Sequence, residues 1–209
     1  MRAATLTLTA AFVVATSIGV FAVHKDSSPS SSPDTTSGAA FSSGVKHLNA
    51  GDKAEQKAEQ KKALDEFGKA LKDFQAAVRL DPKNHRAFNG LGYAYRKTGD
   101  YNKALESYSA ALQISPNFPD AIEYRAEAFL GLNRTEDAKQ AYLALFASSR
   151  THADLLLKAM KAWVEKRHAN PDGVDPAALA TFEAWLHERA ALSERTVDMA
   201  RNTPHTSWR

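Results

Sequence analysis

The sequence predicts an all-α fold, a solenoid of about three helix-turn-helix repeats capped by a C-terminal helical hairpin. Three observations predict it. Residues 85–118, HRAFNGLGYAYRKTGDYNKALESYSAALQISPNF, form one complete 34-residue unit. Partial copies lie at the same period on both sides, and two further amphipathic segments follow within residues 151–201.

The chain starts with Met1-Arg2 and then runs from Ala3 to Val23 without a charged residue. Residues 1–23 are expected to be a signal peptide or a signal anchor. Ala22, with Val20 two residues before it, suits cleavage, and the apolar length suits a bilayer span. Residues 24–40, rich in Ser, Pro and Thr, are too poor in apolar side chains to pack and read as a disordered linker. An exported protein follows, periplasmic or anchored in the inner membrane facing the periplasm if the source is a Gram-negative bacterium.

The repeats are expected over 41–150, as units 41–84, 85–118 and 119–150. In the complete unit, Phe88, Leu91 and Tyr95 fall on one face of the first helix, and Leu105, Tyr108 and Leu112 on one face of the second. Gly92 and Ala104 are small where the two axes must approach. Gly99 can end the first helix in a left-handed conformation, Asp100 can cap the second, and Pro116 prevents the second from continuing. In the first unit, Phe67, Ala70, Phe74, Ala77 and Pro82 stand 34 residues before Tyr101, Ala104, Tyr108, Ala111 and Pro116. Strict counting would put Ala54, Lys57, Ala58 and Lys61 on its first helix. The preferred reading instead makes FSSGVKHLNAGD the first helix, turns the chain at Gly51-Asp52, and lengthens the second helix by KAEQKAEQKK. The third unit places Ile122, Ala126, Phe129, Asn133, Ala138, Tyr142 and Leu145 at corresponding positions, and Arg150 replaces the terminal proline. Capping helices are expected over 151–201, the first starting at a Thr151 cap and the second at Asp175-Pro176. Leu155, Leu156, Ala159 and Trp163 should face Leu179, Phe182, Trp185 and Leu186. Residues 202–209 form a tail.

Phe88, Leu91-Gly92, Tyr95, Gly99, Tyr101, Ala104, Tyr108, Ala111 and Pro116 together resemble the tetratricopeptide repeat (TPR) family. The resemblance implies a non-enzymatic protein-protein interaction scaffold whose partner, a protein or peptide, lies in a groove formed by the first helices. It implies as partner-binding residues Arg86, Asn89, Tyr93 and Arg96 in the second unit and Glu123 and Glu127 in the third, beside Asp120 and Leu130. The same residues read equally as surface charges paired between adjacent units. The family's clamp for acidic chaperone tails, built from Lys, Asn and Arg, is not expected here, because Glu123 and Glu127 would repel such a ligand.

Other functions find little support. The net charge is +3, with Lys and Glu interleaved, so no nucleic-acid partner is expected. With no cysteine, thiol chemistry, disulfides and a lipid-modified cysteine are excluded. The seven histidines contain no i, i+4 pair, and HERAA at His187 carries Ala191 where a zinc-protease helix needs its second histidine. No phosphate loop, dinucleotide fingerprint or nucleophile elbow occurs, so no cofactor, metal or catalytic residue is expected. The alternatives are a self-assembling structural protein, with a homo-oligomer interface near Trp163 and Trp185 or near Lys53–Leu64, and an accessory subunit of an envelope enzyme.

Overall fold

The computed structural model describes residues 35–202 as eight helices. The uncharged run Ala3–Val23, most of the linker and the tail from 203 onward lie outside the described residues. The helices are α1 (Thr35–Gln56), α2 (Gln60–Leu80), α3 (His85–Lys97), α4 (Tyr101–Ile114), α5 (Pro119–Gly131), α6 (Thr135–Ser148), α7 (Arg150–Ala169) and α8 (Pro176–Asn202). Successive helices pack as antiparallel pairs. The first helices α1, α3, α5 and α7 also touch one another in series, so they form a common wall.

The three repeat turns share one hydrogen-bond pattern. Asp100 N–H donates to Tyr95 C=O at 2.9 Å with Gly99 at φ +86°, and Arg134 N–H donates to Phe129 C=O at 2.9 Å with Asn133 at φ +59°. Glu59 N–H likewise donates to Ala54 C=O at 2.9 Å, with Ala58 at φ +58°. Each is a helix end closed by a left-handed residue, which Gly and Asn tolerate better than Ala. Asp100 caps α4 as expected, accepting from Lys103 N–H at 3.2 Å.

The first unit departs from expectation. Its turn lies at Lys57–Glu59, not at Gly51-Asp52, and α1 begins at Thr35, inside the segment expected to be linker. Gly51 serves close packing and not turning. A Cβ placed there would collide with the Phe67 ring, as a Cβ at Gly44 would fall 2.9 Å from the Phe74 ring. Phe67 precedes Phe74 by the seven residues that separate Gly44 from Gly51, so one glycine-aromatic contact recurs two turns further along the antiparallel pair. Gly92 makes the same contact with Tyr108 in the second unit, where a Cβ would lie 2.7 Å from the ring. Both helices of the first unit are therefore lengthened, α1 beyond Gly44 and α2 ahead of Phe67. The linker boundary shifts because Ser37 and Ala40 pack against the core, with Ser37 Oγ donating to Ala77 C=O at 3.4 Å.

The core divides into two clusters. One joins α1 to α5 through alanines and the rings of Phe67, Phe74, Tyr93, Tyr108 and Tyr124. The other joins α5 to α8 through Leu145, Leu156, Met160, Trp163, Phe182 and Leu186. Trp163 meets Phe182 edge-on at 5.6 Å, as the expected hairpin requires. Leu155 is 46 % exposed, however, and Ala159 only half-buried. Because α7 also packs on α5 and α6, its buried face is turned toward Ala153, Leu157, Met160 and Val164. Ser149, in extended conformation, precedes α7 in place of Thr151, while Asp175 caps the start of α8 by accepting from Ala178 N–H at 2.9 Å.

Candidate functional site

The first-helix wall buries polar side chains. On α3, Asn89, Tyr93 and Arg96 occupy one face at i, i+4 and i+7, with Asn89 1 % and Tyr93 2 % exposed. On α5, Asp120, Glu123 and Glu127 occupy a face at i, i+3 and i+7, and Glu123 is 6 % exposed. The structure brings Arg96 and Glu127 together at 2.6 Å and lays the Arg96 guanidinium over the rings of Tyr93 at 4.9 Å and Tyr124 at 5.5 Å. These rings meet edge-on at 5.2 Å. Arg86 stands half-buried at the start of α3.

Three residues beyond the sequence expectation complete the wall. Tyr93 OH donates to the Asp52 carboxylate at 2.9 and 3.0 Å, and Lys97 pairs with Asp52 at 3.4 Å and with Glu55. A turn at Gly51-Asp52 would have removed Asp52 and Glu55 from the wall. The longer α1 carries them across from α3. Lys97, one position after Arg96, is reached only because α1 continues that far.

Electrostatics follow from burial. Burial pushes the Asp52 carboxyl up, and Lys97 and the Tyr93 hydroxyl oppose it. Burial disfavours the charge of Arg96, but Glu127, Tyr108 and Tyr93 outweigh that and hold the guanidinium well above its ordinary range. Glu123 has no comparable support. Burial, then Glu127 and Asp120, raise its pKa to about 8, with Arg96 pulling the other way. Asp120 faces the His152 ring, whose Nε2 lies 3.4 Å from Oδ1, while His152 Nδ1 lies 2.7 Å from Ser149 Oγ. This Ser-His-Asp row ties the start of α7 to α5. Ser149 sits immediately ahead of α7, and its hydroxyl bonds the His152 side chain three residues on in place of a backbone N–H.

Among the described residues no group of His, Cys, Asp and Glu could hold a metal ion, and no helix is long and apolar enough to cross a membrane. The wall offers hydrogen-bonding and charged groups for a ligand to read.

Residues 85–118 match the tetratricopeptide repeat family model, and residues 61–99 match a second TPR repeat model. Similar solved structures include PcrH in complex with the chaperone binding region of PopD, at 28 % identity over 61 % of this chain and 92 % of that one, TM-score 0.42. The MamA protein matches at 13 % identity over 79 % and 98 % of the two chains, TM-score 0.47. The TPR2B-domain:pHsp70 complex of yeast Sti1 matches at 14 % identity over 71 % and 98 %, TM-score 0.38. The assignment rests on the family models and the helix pairs themselves, whose repeats are a protein-interaction scaffold. With its 34-residue period folded into stacked helix pairs and its repeat models matched, the chain carries tetratricopeptide repeats over residues 61–118.

Proposed function

We propose that this protein is a non-enzymatic docking scaffold of the cell envelope, which holds an extended segment of a protein partner against the wall formed by α1, α3 and α5. One observation carries the reading: Asn89, Tyr93, Arg96, Glu123 and Glu127 all lie on the first-helix face, and the side-chain oxygen of Asn89 is buried without a matching hydrogen-bond donor. A stack serving only to fold would fill these places with apolar side chains, because a buried polar group without a partner costs about 1–3 kcal/mol. Arg86, Asn89, Arg96, Glu123 and Glu127 would read the partner's polar groups, and Tyr93 would shape the floor between them. The uncharged run Ala3–Val23 supports placement outside the cytoplasm, exported or anchored by one N-terminal segment.

The test is photocrosslinking in the native host, with the probe at Arg86 on the edge of the wall and a control probe at Lys103, exposed on α4. Tyr93 is unsuitable for a probe, since its hydroxyl is bonded to Asp52. A defined protein adduct from position 86 alone is expected. Equal adducts from both positions would remove the groove reading.

A second reading, self-assembly, is favoured by exposed Leu143 on α6 and Leu155 on α7. It requires a mass that rises with concentration in light scattering.

A further inference from the structure

Striking out the ion pairs made within the wall leaves an uneven remainder. Lys97 is taken by Asp52 and Glu55, and Arg96 by Glu127. Asp120 keeps the His152 ring at 3.4 Å, and Glu123 is buried with no hydrogen bond supporting its carboxyl. Asn89 supplies an independent observation, because its Oδ1 is buried and has no donor among the described residues.

Contacts between α3 and α5 run at a constant offset. Tyr93 meets Tyr124 and Arg96 meets Glu127, each 31 residues on. Carried back one turn, that offset sets Asn89 against Asp120, which is one turn before Glu123 on α5. Three acceptors thus gather where α3 and α5 face each other, and Arg96, the guanidinium that acts on Glu123, is held one to two turns away by Glu127.

We propose that the α3–α5 wall is a subsite for a cationic side chain, a lysine ammonium or arginine guanidinium of the partner polypeptide, held between Asn89 Oδ1 and the carboxylates of Glu123 and Asp120. Both groups carry donors and no acceptors, which matches the amide oxygen of Asn89 and the two carboxylates. A charge-assisted bond also stabilises a buried carboxylate that the free protein leaves unsupported. The inference rests on the groove reading and specifies the chemistry of its ligand.

The groups facing Glu123 are Arg96 of α3, Tyr108 of α4, and Asp120, Tyr124 and Glu127 of α5, with His152 of α7 beyond Asp120. The tyrosines are all pushed up by burial and stay neutral near pH 7. With its pKa raised to about 8, Glu123 holds a proton in the free protein at neutral pH. A cationic ligand displaces that proton, so its affinity falls as pH drops below about 8.

The test is a titration of the full-length 15N-labelled chain with Nα-acetyl-arginine amide and Nα-acetyl-lysine amide, with Nα-acetyl-glutamate amide as control, following the Asn89 side-chain amide and the α5 backbone. Saturable millimolar binding of the cationic probes is expected, weakened about fivefold or more by Glu123→Gln and by lowering the pH from about 8.5 to about 6. Equal responses to all three probes, or unchanged cation binding by folded Glu123→Gln, overturn the proposal. Repeating the Arg86 crosslink with Glu123→Gln separates the two readings. An undiminished groove adduct overturns the cationic subsite and leaves the groove reading standing, whereas loss of the adduct supports the subsite.

Discussion

The walls on either side of α3 are both acidic, but they are matched differently. On α1, Asp52 and Glu55 are answered by Lys97 and the Tyr93 hydroxyl. On α5, Glu127 is answered by Arg96, while Asp120 and Glu123 have no cation of their own beyond the His152 ring near Asp120. A buried carboxylate with partners adds to the definition of the fold, and one without them is a standing cost that a ligand can relieve. The α1 wall is therefore structural, and the α5 wall is the face that, on the proposed function, would read a partner.

The largest expected effect breaks the α1 wall. Phe67 is fully buried and fills the space left by Gly51, so Phe67→Ala should cost about 3–5 kcal/mol and detach the extended end of α1 from α2. Denaturant unfolding would measure the loss, and faster amide exchange should appear at Asp52 and Glu55.

Lys97→Met removes the cation while keeping the stem, and should cost about 2 kcal/mol because Asp52 and Glu55 are left half-buried and uncompensated. The sign with pH follows from the acids. The loss is largest where the Asp52 carboxyl must ionise and shrinks as acidification neutralises it, so melts of the two proteins should converge toward low pH.

Glu123→Gln tests the unmatched wall and should do the reverse. The folded-state pKa of Glu123 is raised from 4.5 to about 8, so the folded protein takes up a proton between these values and its stability declines as pH rises through them. The variant should gain on the order of 2 kcal/mol above pH 8 and nothing below about pH 4.5. A loss of stability at every pH would show that Glu123 is as well matched as Asp52.

The smallest effect concerns the turn that sets the length of α1. Ala58→Gly, at φ +58°, should stabilise by about 1 kcal/mol, whereas Gly99→Ala, at φ +86°, should destabilise by a similar amount. Paired thermal melts would read both.

Much of this was legible in local pattern. The αL positions at Gly99 and Asn133, the caps at Asp100 and Asp175, and the apolar faces of α3 and α4 all depend on residues within a few positions of one another. The first turn was not legible. Gly51-Asp52 carries the strongest turn composition in its region, yet Gly51 is consumed by the ring of Phe67, and the turn falls to Ala58, a residue with no intrinsic preference for positive φ. The groove face of α3 and α5 was implied by the family resemblance, and its register across α1 was not.

By itself, then, the sequence determined the helix-pair architecture, the period, and which residues of α3 and α5 share a face, because helical periodicity and turn chemistry act over a few residues. Only the tertiary structure decided which charges are matched. Asp52 meets Tyr93 across 41 positions and Arg96 meets Glu127 across 31, distances over which no local preference operates and packing alone sets the partner.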